Sequence, residues 1–242
     1  MSLPSPRFLA CGDTAVTVEF GREISPELNA LALGLDAALR ESPVPGIVET
    51  VPTYRSLLVQ FDPLVTTPDE IEAPIRALIA GLEERVLTPR RWKVPVVYGG
   101  AFGIDLEDVA ARHGISVNEL VRRHSEAVYT VAMLGFLPGF CYLAGLDPSI
   151  ATPRRTDPRT VTPAGTIAIG GIQANIASLE APSGWHLLGR TPMRPFMPGR
   201  DRVFLIDAGD EVVFEPLPPE RWEALDKAAA AGEWVAQEIS GG

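Results

Sequence analysis

Lysine is nearly missing from the 242 residues: Lys93 and Lys227 are the only two, and nineteen arginines carry the rest of the positive charge. Acids still outnumber bases by 31 to 21, which leaves a formal net charge of −10. That excludes a general nucleic-acid binder, because neutralising a phosphate backbone needs a basic surface. The arginine bias, with the many alanines, reads as genomic composition. Cysteine is equally scarce. Cys11 and Cys141 form no CxxC, and Met1 to Ala10 lacks the charged-then-apolar layout of a secretion signal. Both are therefore expected to be reduced, buried thiols of a cytoplasmic protein. The three histidines, His113, His124 and His186, have no cysteine or carboxylate at ligand spacing, which argues against a metal site. No GxxxxGK[ST] loop is present, no GxGxxG follows a strand, and there is no GxSxG elbow. Internal repeats are absent. The charge-free stretch Ala127 to Leu146 has 20 residues and could span a bilayer by length. Gly135, Pro138, Gly139 and Gly145 interrupt it and no basic cluster flanks it, so it is expected to be a buried strand–turn–strand.

The composition that remains is that of a globular chain, 46% hydrophobic and 21% charged, with a length that suits two domains. Residues 1–88 read as two β-β-α passes. Ala15 to Phe20 is β-rich, and Ser25-Pro26 supplies an N-cap with proline at the first helical position. Leu28, Leu31, Leu35 and Leu39 then mark one helical face. Ile47–Pro52 and Leu57–Phe61 form a strand pair turning at Tyr54-Arg55. Thr67-Pro68-Asp69-Glu70 is a capping box, followed by a helix burying Ile71, Ile75, Leu78, Leu82 and Val86. Pro89-Arg90-Arg91 is the expected linker to a second domain, 89–242. There a strand over Trp92–Tyr98 leads to two short helices, opened by Asp105 and by Ser116-Val117-Asn118-Glu119. Short β segments separated by Gly/Pro turns follow, among them Thr166–Ile169, Trp185–Leu188, Val203–Ile206 and Glu211–Phe214, which predict a small barrel. A terminal helix is expected over Pro219–Ala231. The fold class is α+β: an N-terminal α+β sandwich and a C-terminal β-barrel.

Three features bear on chemistry. Gly135-Phe136-Leu137-Pro138-Gly139-Phe140 allows a sharp turn anchored by phenylalanines, readable as a structural hairpin or as a loop that lets a ligand approach backbone donors. Between Ile150 and Arg202 seven arginines face three acids, a local +4 in a chain that is −14 elsewhere. Arg154, Arg155 and Arg159 sit on proline-stiffened turns. They suit a carboxylate or phosphate ligand, or equally a set of salt bridges. Finally, Ser183-Gly184-Trp185-His186 and Gly189-Arg190-Thr191-Pro192 read as core packing, or as the completion of an anion pocket.

These segments resemble the KipI family, also called allophanate hydrolase subunit 1 or carboxyltransferase domain subunit 1, which includes the B subunit of bacterial 5-oxoprolinase. The matching pieces are Tyr98-Gly99-Gly100, Gly103-x-Asp105-Leu106, His124-Ser125, Tyr129, Gly135 to Phe140 and Tyr142-Leu143. They continue with Pro153-Arg154, Pro158-Arg159, Pro163-Ala164-Gly165-Thr166, Ser183-Gly184-Trp185, Gly189 to Pro192 and Gly209-Asp210. One run departs: a Gln-Thr-Gly-Ile-Tyr-Pro-like segment of the family stands here as Gln173-Ala174-Asn175-Ile176-Ala177-Ser178. The resemblance implies a cyclophilin-like barrel and a subunit of an ATP-dependent 5-oxoprolinase, inactive alone. No cofactor is expected on this chain itself; ATP is used by the complex. Expected partners are a second carboxyltransferase-type subunit (PxpC-like) and a PxpA-like subunit. The alternatives are a KipI-like inhibitor docking on a sensor histidine kinase, and part of a urea-type carboxyltransferase. Substrate binding is expected at Gly135, Phe136, Pro138, Gly139, Arg154, Arg159, Gln173 and Arg190. His124 is the candidate acid/base, with the alternative that it is a packed structural residue.

Overall fold

A computed structural model describes residues 5–82 and 89–239, in two compact units, Met1–Thr88 and Pro89–Gly242. The strands of the first unit are β1 (Arg7–Ala10), β2 (Ala15–Glu19), β3 (Ile47–Pro52) and β4 (Ser56–Phe61). They form one antiparallel sheet of order β1-β2-β4-β3, on which two β-β-α passes lay their helices. Helix α1 (Pro26–Glu41) starts where the Ser25 Oγ accepts the Leu28 N–H at 3.2 Å. Helix α2 (Pro68–Ala80) starts where the Glu70 carboxylate accepts the Thr67 N–H at 2.9 Å. Val18, Leu35, Leu57, Val59, Ile71 and Ile75 are wholly buried and form the core, while Leu28, Leu31 and Leu78 pack at its margin. Ile79 takes the fully inward place that the spacing assigns to Leu78. Val86 lies outside the described residues. β1 carries no alternation because it is an edge strand with mostly exposed side chains.

The second unit is a closed barrel of seven strands. They are β5 (Arg91–Tyr98), β6 (Tyr129–Leu134), β7 (Cys141–Ala144), β9 (Thr166–Gly170), β10 (Gln173–Ile176), β12 (His186–Arg190) and β13 (Glu211–Pro216). A two-stranded ribbon, β8 (Arg159–Thr162) with β11 (Ala181–Ser183), stands apart from the barrel sheet. Closure falls on β5. It pairs with β13 in parallel along one edge; its other edge is shared by β12 and the short C-terminal strand β14 (Gln237–Ile239). Because strands alternate inward and outward, Cys141, Leu143, Ile167, Ile169, Ala174 and Ile176 fill the interior. Helices α3 (Leu106–Arg112) and α4 (Val117–Glu126) lie between β5 and β6 in sequence, and α5 (Trp222–Ala230) follows β13. The uncharged stretch 127–146 is the β6–β7 hairpin, and among the described residues no helix is long and apolar enough to cross a membrane.

Three expectations need correction. Val203–Ile206 is not a strand: Phe204 makes one isolated bridge to Phe196, and the segment is apolar because Leu205 and Ile206 are buried in the core. Cys11 is exposed, and only Cys141 is buried. Asp105 stands at the N-terminus of α3, but its side chain caps nothing there. That carboxylate instead accepts both Arg159 Nη1 (2.9 Å) and Nη2 (2.7 Å), together with the Leu187 N–H (2.8 Å). Asp210, of the Gly209-Asp210 pair, is a second buried tie. It accepts from the Trp92 indole at 2.9 Å, from Arg90 and from the Asp207 N–H.

Candidate functional site

On the outer face of the barrel, the register sets Tyr142 of β7, Asn175 of β10 and Ala168 of β9 in one row across three strands. The β8/β11 ribbon contributes Thr162, Ala181 and Ser183 opposite that row, and the 135–140 turn contributes Phe136 and Phe140. Between them lies a cavity of about 270 Å³. Aromatic rings form its walls: Phe136 meets Phe140 edge-on at 5.6 Å, Phe140 leans on Tyr142 at 4.9 Å, and Tyr142 meets Trp185 at 6.1 Å. Trp185 is held from behind by Gly170, where a β-carbon would sit 2.7 Å from the indole.

The turn that carries Phe136 is strained. Phe136 has φ +69°, the only positive φ at a non-glycine among the described residues, and the residue is 61% exposed. An L-residue in that region costs roughly 1–2 kcal/mol, and such outliers cluster at ligand sites. Gly139 supplies the other left-handed position of the turn at φ +70°, where a β-carbon would sit 2.8 Å from that of Phe196.

Charge enters through the arginines, and the structure separates them by employment. Arg154 lies 5.1 Å over the Trp185 ring and lines the cavity, with no carboxylate partner among the described residues. Arg155 also lines it, but its Nη1 is 3.5 Å from Asp105. Arg159 is committed to Asp105 and lines neither this cavity nor its two neighbours. Arg190 lies in the first of those neighbours, a cavity of about 540 Å³, where it donates twice to the Ala164 carbonyl and stacks on Trp222 at 4.9 Å. Burial there lowers its pKa. The second neighbour, a hollow of about 320 Å³, is edged by Arg112, Arg154, Arg155 and His186.

The remaining expected site residues divide. Phe136 lines the cavity; Gly135, Pro138 and Gly139 shape the turn that holds it without lining the cavity themselves. Gln173 opens β10, two residues from Asn175 on the same strand face, and lies outside the lining. His124 is elsewhere. It is wholly buried on α4, stacked on Phe214 at 5.0 Å, with Nδ1 2.8 Å from the Tyr98 hydroxyl and Nε2 unpartnered. Burial depresses its pKa to about 3, so the imidazole is neutral at physiological pH and reaches none of the three cavities.

Asn175 is absent from the expected site residues, yet it belongs to the site. The residue is 3% exposed, lines the cavity, and leaves Oδ1 without a hydrogen-bond partner. The sequence does hold a signal for it: a polar residue between the inward Ala174 and Ile176 marks the outer face of an otherwise apolar strand. Ala177 and Ser178, from the same departing run, line the first cavity and its 540 Å³ neighbour respectively.

Residues 6–206 match the family described as carboxyltransferase domain, subdomain C and D. The chain is similar to the B subunit of the 5-oxoprolinase of Bacillus subtilis (strain 168), 36% identical over 224 residues, which cover 88% of this chain and 93% of that protein. It is likewise similar to the B subunit of the 5-oxoprolinase of Escherichia coli O157:H7, 38% identical over 209 residues, 85% of this chain and 93% of that one. Among solved structures, TTHA0988 superposes with a TM-score of 0.75 at 36% identity over 84% of this chain; the match spans 40% of that longer protein.

Proposed function

The chain belongs to the carboxyltransferase-domain family of subdomains C and D, and from that premise we propose that it is the B-type subunit of a 5-oxoprolinase, which opens 5-oxoproline to glutamate. The observation that carries the reading is the aromatic cavity with the unopposed guanidinium of Arg154 at its edge. A small ring acid fits such a place: rings pack on Tyr142 and Trp185, and the carboxylate takes charge-assisted hydrogen bonds from Arg154. No carboxylate, imidazole, thiol or ammonium group stands among the described lining residues, and burial raises the pKa of the Tyr142 phenol so that it stays protonated; the cavity supplies no general base and serves to hold and orient. The general base and the ATP-binding parts belong to other subunits, a second carboxyltransferase-type (PxpC-like) chain and a PxpA-like chain. ATP phosphorylates the lactam oxygen and leaves as ADP; water adds to the ring carbon, the C–N bond breaks with the nitrogen taking up a proton, and a second water hydrolyses the resulting acyl phosphate to glutamate and inorganic phosphate.

The test is ATP-dependent glutamate formation from 5-oxoproline by the co-expressed partner subunits, with and without this chain. Activity should require the chain, and should be lost in Arg154→Ala while the complex still assembles to its normal size. Turnover without the chain, or undiminished in Arg154→Ala, refutes the assignment. Inactivity of a verified assembly shifts the reading to the kinase inhibitor or the urea-type carboxyltransferase.

A further inference from the structure

Asn175 is the polar side chain that this cavity leaves unserved. It sits at the middle of the three-strand row, is 3% exposed, and has an Oδ1 that meets no donor. Buried carbonyls in native proteins are nearly always paired, and Asn175 lines the cavity, so its carboxamide is a polar group that a ligand there can serve. Its neighbours leave room: Ala168 is its register partner on β9, and Ala177 is the next outward residue along its own chain. The terminal torsion of a carboxamide is soft and roughly two-fold, so either the oxygen or the NH2, or the edge carrying both, can turn to the cavity.

A ring lactam fixes its N–H and C=O on the same side, because the ring holds the amide cis. That edge offers one donor beside one acceptor. A primary carboxamide offers the mirror arrangement, and the two pair by two hydrogen bonds. We propose that Asn175 is the specificity-determining residue of this cavity, pairing edge to edge with the cis amide of a ring lactam whose carboxylate is held by Arg154. The inference rests on the reading that the cavity takes the ring acid, and adds which feature of the ring is recognised. The corresponding lactone presents two acceptors and no donor. It leaves Oδ1 unserved, and sites built around such a hydrogen bond discriminate strongly against the analogue lacking it.

The test is calorimetric titration of the full chain with 5-oxoproline and with its ring-oxygen analogue, 5-oxotetrahydrofuran-2-carboxylate. The wild type is expected to bind the lactam at least tenfold tighter than the lactone. In Asn175→Leu, which keeps the branched heavy-atom outline and removes the amide, the ratio falls to within about twofold. Arg154→Ala weakens both ligands and leaves the ratio in place. Asn175→Ala serves as the second variant, and unfolding midpoints at or above wild type show that both variants are folded. A lactam-to-lactone ratio unchanged in the Asn175 variants overturns the proposal, as does a wild-type chain that binds neither acid. Glutamate formation by the assembled complex reports separately on the subunit reading, since it requires no selectivity between the two rings.

Discussion

Breaking the Asp105–Arg159 tie should destabilise the barrel unit while leaving the ligand cavity its own residues. Asp105 is 3% exposed, and its carboxylate takes two hydrogen bonds from Arg159, one from the Leu187 N–H and a longer contact from Arg155. Removing one partner of a buried pair costs about 3–5 kcal/mol, because the other is left charged and unpaired. The Arg159 side chain keeps 22% exposure, so water recovers part of its solvation, and about 2–4 kcal/mol is expected for Asp105→Ala. For a unit of this size that is a fall in Tm of roughly 4–16 °C. Arg159→Ala should cost somewhat less, since its Asp105 retains Arg155 and the Leu187 amide. The double variant should fall well short of the sum, with a coupling of roughly 2 kcal/mol. Tryptophan fluorescence during urea unfolding is the assay of choice. All four tryptophans (Trp92, Trp185, Trp222 and Trp234) lie in the barrel unit, so the signal reports that unit alone. Additive losses, or a loss below about 1 kcal/mol in Asp105→Ala, would refute the reasoning. So would an Arg159→Ala chain of unchanged stability that no longer binds 5-oxoproline, since that would return Arg159 to the ligand.

Three further outcomes follow from the same geometry. His124 is neutral in the folded barrel down to about pH 3, whereas an unfolded imidazole protonates near 6.5, so the unfolded state binds the extra proton and stability is lost as pH falls through that window. Between pH 7 and pH 5 the barrel should lose about 2 kcal/mol, a slope that His124→Gln should flatten in denaturant titrations. Phe136→Gly releases an L-residue from φ +69° and removes the cavity's exposed aromatic rim. Tm should hold or rise while KM for the ring acid increases several-fold; a fall in Tm would show that the ring, rather than the turn, sets stability. Gly103→Ala has no room, since its β-carbon would lie 1.9 Å from the Leu188 carbonyl oxygen. Loss of soluble barrel is expected, by circular dichroism and yield, and a well-folded variant would mean the Gly103 turn can shift away from β12.

Much of the architecture is legible from local rules. Ser25-Pro26 and Thr67–Glu70 announce helices because caps act within four residues, and Thr166–Ile169 announces a strand through its bounding turns. What local rules see poorly is side-chain employment. Arg159 and Arg154 stand on similar Pro-Arg turns, yet one is bound to a carboxylate 54 positions earlier and the other is not, and nothing near either residue marks the difference. His124 has the pKa of an acid/base group when free in water, but burial against Phe214 and Tyr129 is a tertiary fact. The cavity is tertiary in the same way. Register brings Tyr142 and Asn175 together from strands 33 residues apart, and a ribbon of two short strands covers them. Val203–Ile206 shows the converse, where buried apolar residues imitate a strand without a ladder.

The closure of the barrel on β5 has a consequence for how the protein is made. β5 is the first strand of its unit to leave the ribosome, while β13, its parallel partner, begins 120 residues later and β14 later still. At about 5–20 residues per second, that strand waits roughly 6–24 s for the partner that completes it. Through that interval Trp92, Val94 and Val96, all wholly buried at the end, have no finished core to enter. The hairpins β6–β7 and β9–β10 can form meanwhile from near neighbours, but the ring cannot close until the last quarter of the chain arrives. Chaperone demand and aggregation during synthesis should therefore track β5: a charge replacing Val94 or Val96 would solubilise the waiting chain and forfeit the finished barrel.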